Sequence, residues 1–87
     1  MYKISFKPSF IRQMRRLEAG LVKEVLDKIR LLKNKTSHHT LRIHKLHGPL
    51  SNYHSFSVNY QIRIIFKFEP GKEIVLFNIG NHDIYKK

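Results

Sequence analysis

The period of the apolar and polar positions changes several times along the chain. Tyr2-Lys-Ile-Ser-Phe6 alternates residue by residue, which predicts a short strand with Tyr2, Ile4 and Phe6 on one face. Lys7-Pro8-Ser9 closes it. Phe10, Met14 and Leu17 then recur at helical spacing behind Ser9, a residue type that caps helix N-termini. A helix is expected from about Ser9 to Glu18, with Arg12, Arg15 and Arg16 on its outer face. Beyond a break at Ala19-Gly20, Val22, Val25, Leu26, Ile29 and Leu32 form the apolar stripe of a second helix over residues 21–33. Two helices with so short a joint are expected to pack as an antiparallel hairpin across a sheet.

Asn34 to Thr40 reads as a polar loop, with His38 and His39 exposed. Leu41, Ile43 and Leu46 then mark a short extended stretch leading into His47-Gly48-Pro49. From Asn52 onward the chain is rich in β-branched and aromatic residues cut by turn formers, the signature of strands. Three are expected, over residues 52–58, 60–69 and 72–79, the last two joined by a Pro70-Gly71 turn. Alternation in the second sends Ile62, Ile64, Phe66 and Phe68 to the core and Arg63, Ile65 and Lys67 to the other side. In the first, His54, Phe56 and Val58 share one face, and Ser55 and Ser57 the other. The predicted order is β-αα-βββ: an α+β fold whose small, mainly antiparallel sheet has a helical hairpin on one face and its other face open.

At 87 residues the chain supports one domain with one modest core. It has no cysteine, which excludes disulfides and thiolate zinc sites and agrees with a reducing compartment. Its apolar runs are far shorter than the roughly 20 residues of a membrane span, and Lys3, Lys7 and Arg12 interrupt the N-terminus, so a cytoplasmic protein with no membrane partner is expected. The charge changes the picture most. Seventeen Lys and Arg stand against six Asp and Glu, a formal net charge of +11. Twelve of the basic residues lie in the first fifty positions, so the excess is not a detachable tail. Such a domain attracts polyanions: nucleic acid, a ribosome or an acidic protein.

Few residues are placed for chemistry. Arg63 sits mid-strand between isoleucines; it reads either as an ordinary surface arginine or as a guanidinium whose planar fork suits a phosphate. His82 follows Gly80-Asn81 at the end of the last strand, where a rigid sheet edge aims a side chain and a pKa near 6.5 suits acid–base work. Tyr85 can stack on a base or pin the chain end to the core. The run His38, His39, His44, His47 has no zinc-ligand spacing and no carboxylate nearby, so neither metal nor cofactor is expected. There is no phosphate-binding glycine loop, no Ser-His-Asp arrangement and no paired-carboxylate site.

Taken together, Leu46-His-Gly-Pro-Leu-Ser-Asn-Tyr53, Ser55-Phe-Ser-Val58, Ile62-Arg-Ile-Ile-Phe66 and Gly80-Asn-His-Asp-Ile-Tyr85 resemble the RelE/ParE superfamily of toxin–antitoxin toxins, nearest its RelE and YafQ side. The resemblance covers residues 1–87 as a single toxin domain. It implies a metal-independent endoribonuclease that enters the ribosomal A site and cuts mRNA by attack of a ribose 2′-OH on the adjacent phosphate. It assigns His82 and His44 as acid–base groups, Arg63 as the phosphate contact, Tyr85 as the C-terminal aromatic, and Lys45 and Lys67 as supporting RNA contacts. It also implies an acidic antitoxin as partner, beside ribosome and mRNA. Ser57 stands where many relatives carry a basic residue, Gln61 where YafQ-like members carry an acid, and Ile62 where an aromatic is commoner. These departures leave open a ParE-like gyrase poison, or a relative that only binds antitoxin or nucleic acid.

Overall fold

The computed structural model describes residues 1–85. Strand β1 (Lys3–Phe6) leads into helix α1 (Pro8–Met14) and helix α2 (Ala19–Leu32). A 3-10 turn (Lys35–Ser37) and a single-turn helix α3 (His38–Leu41) follow, then strand β2 (His44–Lys45) and a second 3-10 turn (Gly48–Leu50). Strands β3 (His54–Ser57), β4 (Arg63–Glu69) and β5 (Glu73–Gly80) form the predicted meander, and a 3-10 turn (His82–Tyr85) ends the described chain. The five strands make one sheet in the order β1-β5-β4-β3-β2, with β1 parallel to β5 and every other pair antiparallel. Among the described residues no helix is long and apolar enough to cross a membrane.

The strand periodicity survives in the core. Phe56, Ile64, Phe66, Ile74, Leu76 and Ile79 point to the helix side and bury against Phe10, Val25, Ile29 and Leu32. Alternation turns Arg63, Ile65 and Lys67 to the opposite face. Strand β5 departs from simple pairing: Ile65 faces Asn78 but Phe66 faces Leu76, so Phe77 is an inserted bulge residue. A bulge bends and twists its strand. Here it puts Phe77 and Asn78 consecutively on the open side.

The helices differ from the sequence expectation in ways that have physical causes. Lys7, not Ser9, occupies the N-cap of α1, with Pro8 filling the first turn. The Ser9 hydroxyl donates instead to the Phe77 carbonyl at 2.6 Å, and the Gln13 side-chain oxygen accepts from the Ile79 N–H at 2.8 Å. Strand β1 covers β5 only as far as Leu76, so α1 supplies these partners to the sheet edge beyond it. Ala19-Gly20 is the first turn of α2 rather than a break. Leu26, expected in the buried stripe, is 46% exposed. With Phe6, Phe10, Ile11, Met14, Leu17 and Val22 it lines an apolar groove of about 440 Å³ between the two helices, bordered by Arg15.

The loop expected over residues 34–40 is ordered by a histidine. The His38 ring stacks on Tyr2 at 5.3 Å and its Nε2 lies 2.7 Å from the Leu32 carbonyl, which fixes the C-terminal end of α2 to the sheet. Nor does the β4 strand begin at Tyr60. The Asn59 carboxamide oxygen accepts from the Gln61 and Ile62 N–H groups at 2.8 and 2.9 Å, a side-chain-closed turn. That turn leaves Tyr60 87% exposed.

Candidate active site

The open face of the sheet can be read as rows, because residues directly opposite in antiparallel strands project to the same side. One row is Ser57, Arg63 and Gly80; the next is His44, Ser55, Ile65 and Asn78. A third contains Lys67 and Val75, continued by Ser5 on β1. Arg63 thus stands beside the residue at which β5 ends.

From there the chain turns sharply. The Asn81 carboxamide oxygen accepts from the Asp83 N–H at 2.9 Å, and its carbonyl accepts from the Ile84 N–H at 3.1 Å. Gly80 is required by close approach: a Cβ there would lie 2.7 Å from Ile84 Cγ2. The turn carries His82 and Tyr85 back over the sheet, their rings meeting edge to face at 5.4 Å. The Tyr85 hydroxyl donates to Ser55 Oγ at 3.0 Å, and Ser55 is the buried polar residue of the core sheet. This clasp fixes the aromatic ring and holds His82 on the open face.

Arg63 and His82 line one cleft of about 440 Å³, together with Tyr60, Gln61, Ile62 and Asn81. Arg63 is half-buried, yet among the described residues its guanidinium has no ion pair and no side-chain hydrogen-bond partner. On the other side of the Tyr85–Ser55 clasp, Leu46, His47, Pro49, Leu50 and Tyr85 line a second depression of about 480 Å³. His44 is exposed on β2, in register with Ser55. The structure therefore gathers Arg63, His82, Tyr85 and His44 on one face, with only Arg63 and His82 in a shared cleft.

The two lysines separate. Lys67 lies on the same open face, its ammonium 5.1 Å from the Tyr53 ring centre. Lys45 is exposed opposite His54, in the row that continues to Phe66 and Leu76 on the helix side. The pairing register thus directs it away from Arg63 and His82, and the structure does not bring it to this site. Beside it, His54 packs on Phe66 and Phe68, and its Nδ1 is buried without a hydrogen-bond partner among the described residues. Burial, and secondarily the Lys45 charge, hold its pKa below the ordinary histidine value. Among the described residues no three His, Asp or Glu side chains are grouped to hold a metal ion. The sequence reading missed Ser55 and Gly80. The only available signal was the glycine before the final turn.

The five-stranded mixed sheet with helices on one face has the RelE-like fold. No protein-family model matches the sequence, and no curated protein matches it. Solved structures do match. The RelBE2 toxin–antitoxin complex of Mycobacterium tuberculosis aligns over 93% of this chain and 98% of its own, with TM-score 0.75 and 16% identity. YafQ of Escherichia coli aligns over the whole of both chains, with TM-score 0.70 and 14% identity. The archaeal RelE–RelB complex of Pyrococcus horikoshii aligns over 92% of this chain and 93% of its own, with TM-score 0.75 and 13% identity. At these identities the likeness establishes the fold.

Proposed function

We propose that the chain is the toxin of a type II toxin–antitoxin pair and acts as a ribosome-dependent endoribonuclease on mRNA. One observation carries this reading: in a chain of net charge +11, a guanidinium with no side-chain partner among the described residues shares a cleft with a histidine at a strand end. The reaction needs a proton taken from the 2′-OH as it attacks the adjacent phosphorus. The P–O5′ bond breaks as the new bond forms, and the departing 5′-oxygen needs a proton. His82 is the group in the cleft whose imidazole can accept or donate a proton. Arg63 offsets charge on the phosphorane, with two donors in a plane that matches two phosphate oxygens. Tyr85, held by Ser55, offers a fixed ring face to a base. His44 is the candidate second acid–base group, acting from across the clasp.

Two of the similar structures, the RelBE2 complex of Mycobacterium tuberculosis and a YoeB–YefM complex of Staphylococcus aureus, are toxin–antitoxin complexes. A partner of the same type is proposed here, acidic and amphipathic, with its apolar side in the groove between α1 and α2. The test of the enzymatic reading is mRNA cleavage on programmed ribosomes by the wild-type chain and by His82→Ala. Cuts in the A-site codon that the variant suppresses ~100-fold, an ordinary acid–base contribution, are expected. A wild-type chain that cuts nothing would reject the nuclease and direct attention to gyrase. Cleavage surviving His82→Ala would reject this assignment of the proton.

A further inference from the structure

Beyond the Tyr85–Ser55 clasp the open face carries a second cluster that the cleavage chemistry does not use. Tyr53 and Phe77 meet edge to face at 5.1 Å. Lys67 Nζ lies 5.1 Å from the Tyr53 ring centre and 5.9 Å from that of Phe77, and Lys7 Nζ lies 5.4 Å from Phe77 on its other flank. The β5 bulge puts the Phe77 ring here. Both rings are only half-buried, and neither lysine has a carboxylate partner among the described residues. Lys67 follows Arg63 by four residues on β4, about 13 Å at ~3.3 Å per strand residue.

We propose that Tyr53, Phe77, Lys67 and Lys7 form a second subsite for single-stranded RNA, holding nucleotides that flank the one at Arg63 and His82. The inference rests on the nucleic-acid reading of that cleft. Aromatic faces interleaved with ammonium groups suit stacked bases joined by phosphates, whereas an acidic peptide would use the cations and leave the rings idle. Lysine–ring contacts at exposed sites are weak, so the ammonium groups can exchange a ring for a phosphate. The strip also has an end. In the next row Glu69 faces Glu73, which accepts from Ser5 Oγ at 3.3 Å, so two carboxylates against one cation, Lys3, follow the strip. That limits the subsite to the bases its two rings can stack.

Two 2′-O-methyl oligonucleotides of equal length, one of uridines and one abasic, separate stacking from charge. Binding is read by anisotropy for the wild type, Tyr53→Leu and Lys7→Gln. Tyr53→Leu, which keeps an apolar contact for Phe77, should weaken the uridine strand ~10-fold and leave the abasic strand within about twofold. Lys7→Gln, exposed and remote from the core, should weaken both strands and lower the salt dependence. Equal effects of Tyr53→Leu on both strands, or none on either, would overturn the subsite. So would a wild-type chain that holds neither strand. A polyglutamate peptide that displaces the uridine strand at matched charge would assign the cluster to an acidic protein segment and likewise overturn it. Ribosomal cleavage by the wild type and His82→Ala is read separately, so loss of the subsite and loss of the nuclease reading remain distinct.

Discussion

Gly80→Ala should separate activity from stability in this protein. The added methyl would sit 2.7 Å from Ile84 Cγ2, against about 3.5–4.0 Å for an unstrained carbon contact. One of the two must retreat by about 1 Å. Cγ2 is bonded to the branched Cβ, whose χ1 is stiff, so the displacement passes to the backbone of the 82–85 turn. That turn carries His82 and delivers Tyr85 to Ser55. A misplacement of this size costs ~100-fold in rate when it moves a catalytic group. The fold should suffer far less. The turn lies at the surface, and alanine gains roughly 0.5–1 kcal/mol over glycine in a strand. These offset the lower end of the ~1–3 kcal/mol usual for overpacking, so Tm should move by no more than about 5 °C. Single-turnover cleavage on programmed ribosomes, beside a thermal melt, reads both quantities. Gly80→Ala/Ile84→Ala removes the clashing atom and should recover most of the lost rate, a coupling that independent sites do not show. A wild-type rate in Gly80→Ala, or no recovery in the double variant, would refute the argument.

Three further outcomes are expected. Tyr85→Phe removes the 3.0 Å hydrogen bond to buried Ser55 and should cost about 1 kcal/mol in a denaturant melt; no loss would mean that water replaces the hydroxyl. His54 has a folded pKa below its unfolded value, so the unfolded chain binds more protons in that window. Its contribution is complete above about pH 6.5 and falls as pH drops through the folded pKa. His54→Leu should therefore flatten the decline of Tm between neutral and mildly acidic pH, and an unchanged slope would count against the assignment. Arg63→Lys keeps the charge but not the planar fork, so cleavage should fall with Arg63→Lys and fall further, ~100-fold or more, with Arg63→Ala. Equal activity of the two variants would show that the charge alone contributes nothing, and wild-type activity in both would show that Arg63 acts through neither charge nor shape.

Local pattern determined the faces of the elements. Alternation alone sends Ile64 and Phe66 inward and Arg63 and Lys67 outward, because a strand has no other period. The apolar stripe of α2 and the Pro70-Gly71 turn were legible for the same reason: helix faces and tight turns depend on neighbours in sequence. The resemblance of short motifs also pointed to the correct fold. Tertiary structure decided which distant groups satisfy each polar atom and which faces meet. Ser9 looked like a helix cap but completes the edge of β5, because β1 is too short to cover it. His38 looked like an exposed loop residue but ties α2 to the sheet through Tyr2 and the Leu32 carbonyl. Leu26 fits the buried stripe of α2, yet it lines the open groove between α1 and α2. Lys45 and His44 are neighbours in sequence and lie on opposite faces of the sheet, set by a pairing register that no local pattern encodes. Arg63 and His82, nineteen positions apart, share a cleft because Arg63 pairs with Gly80, where β5 stops. Burial and long-range pairing are properties of the assembled sheet, and that is where the candidate site is made.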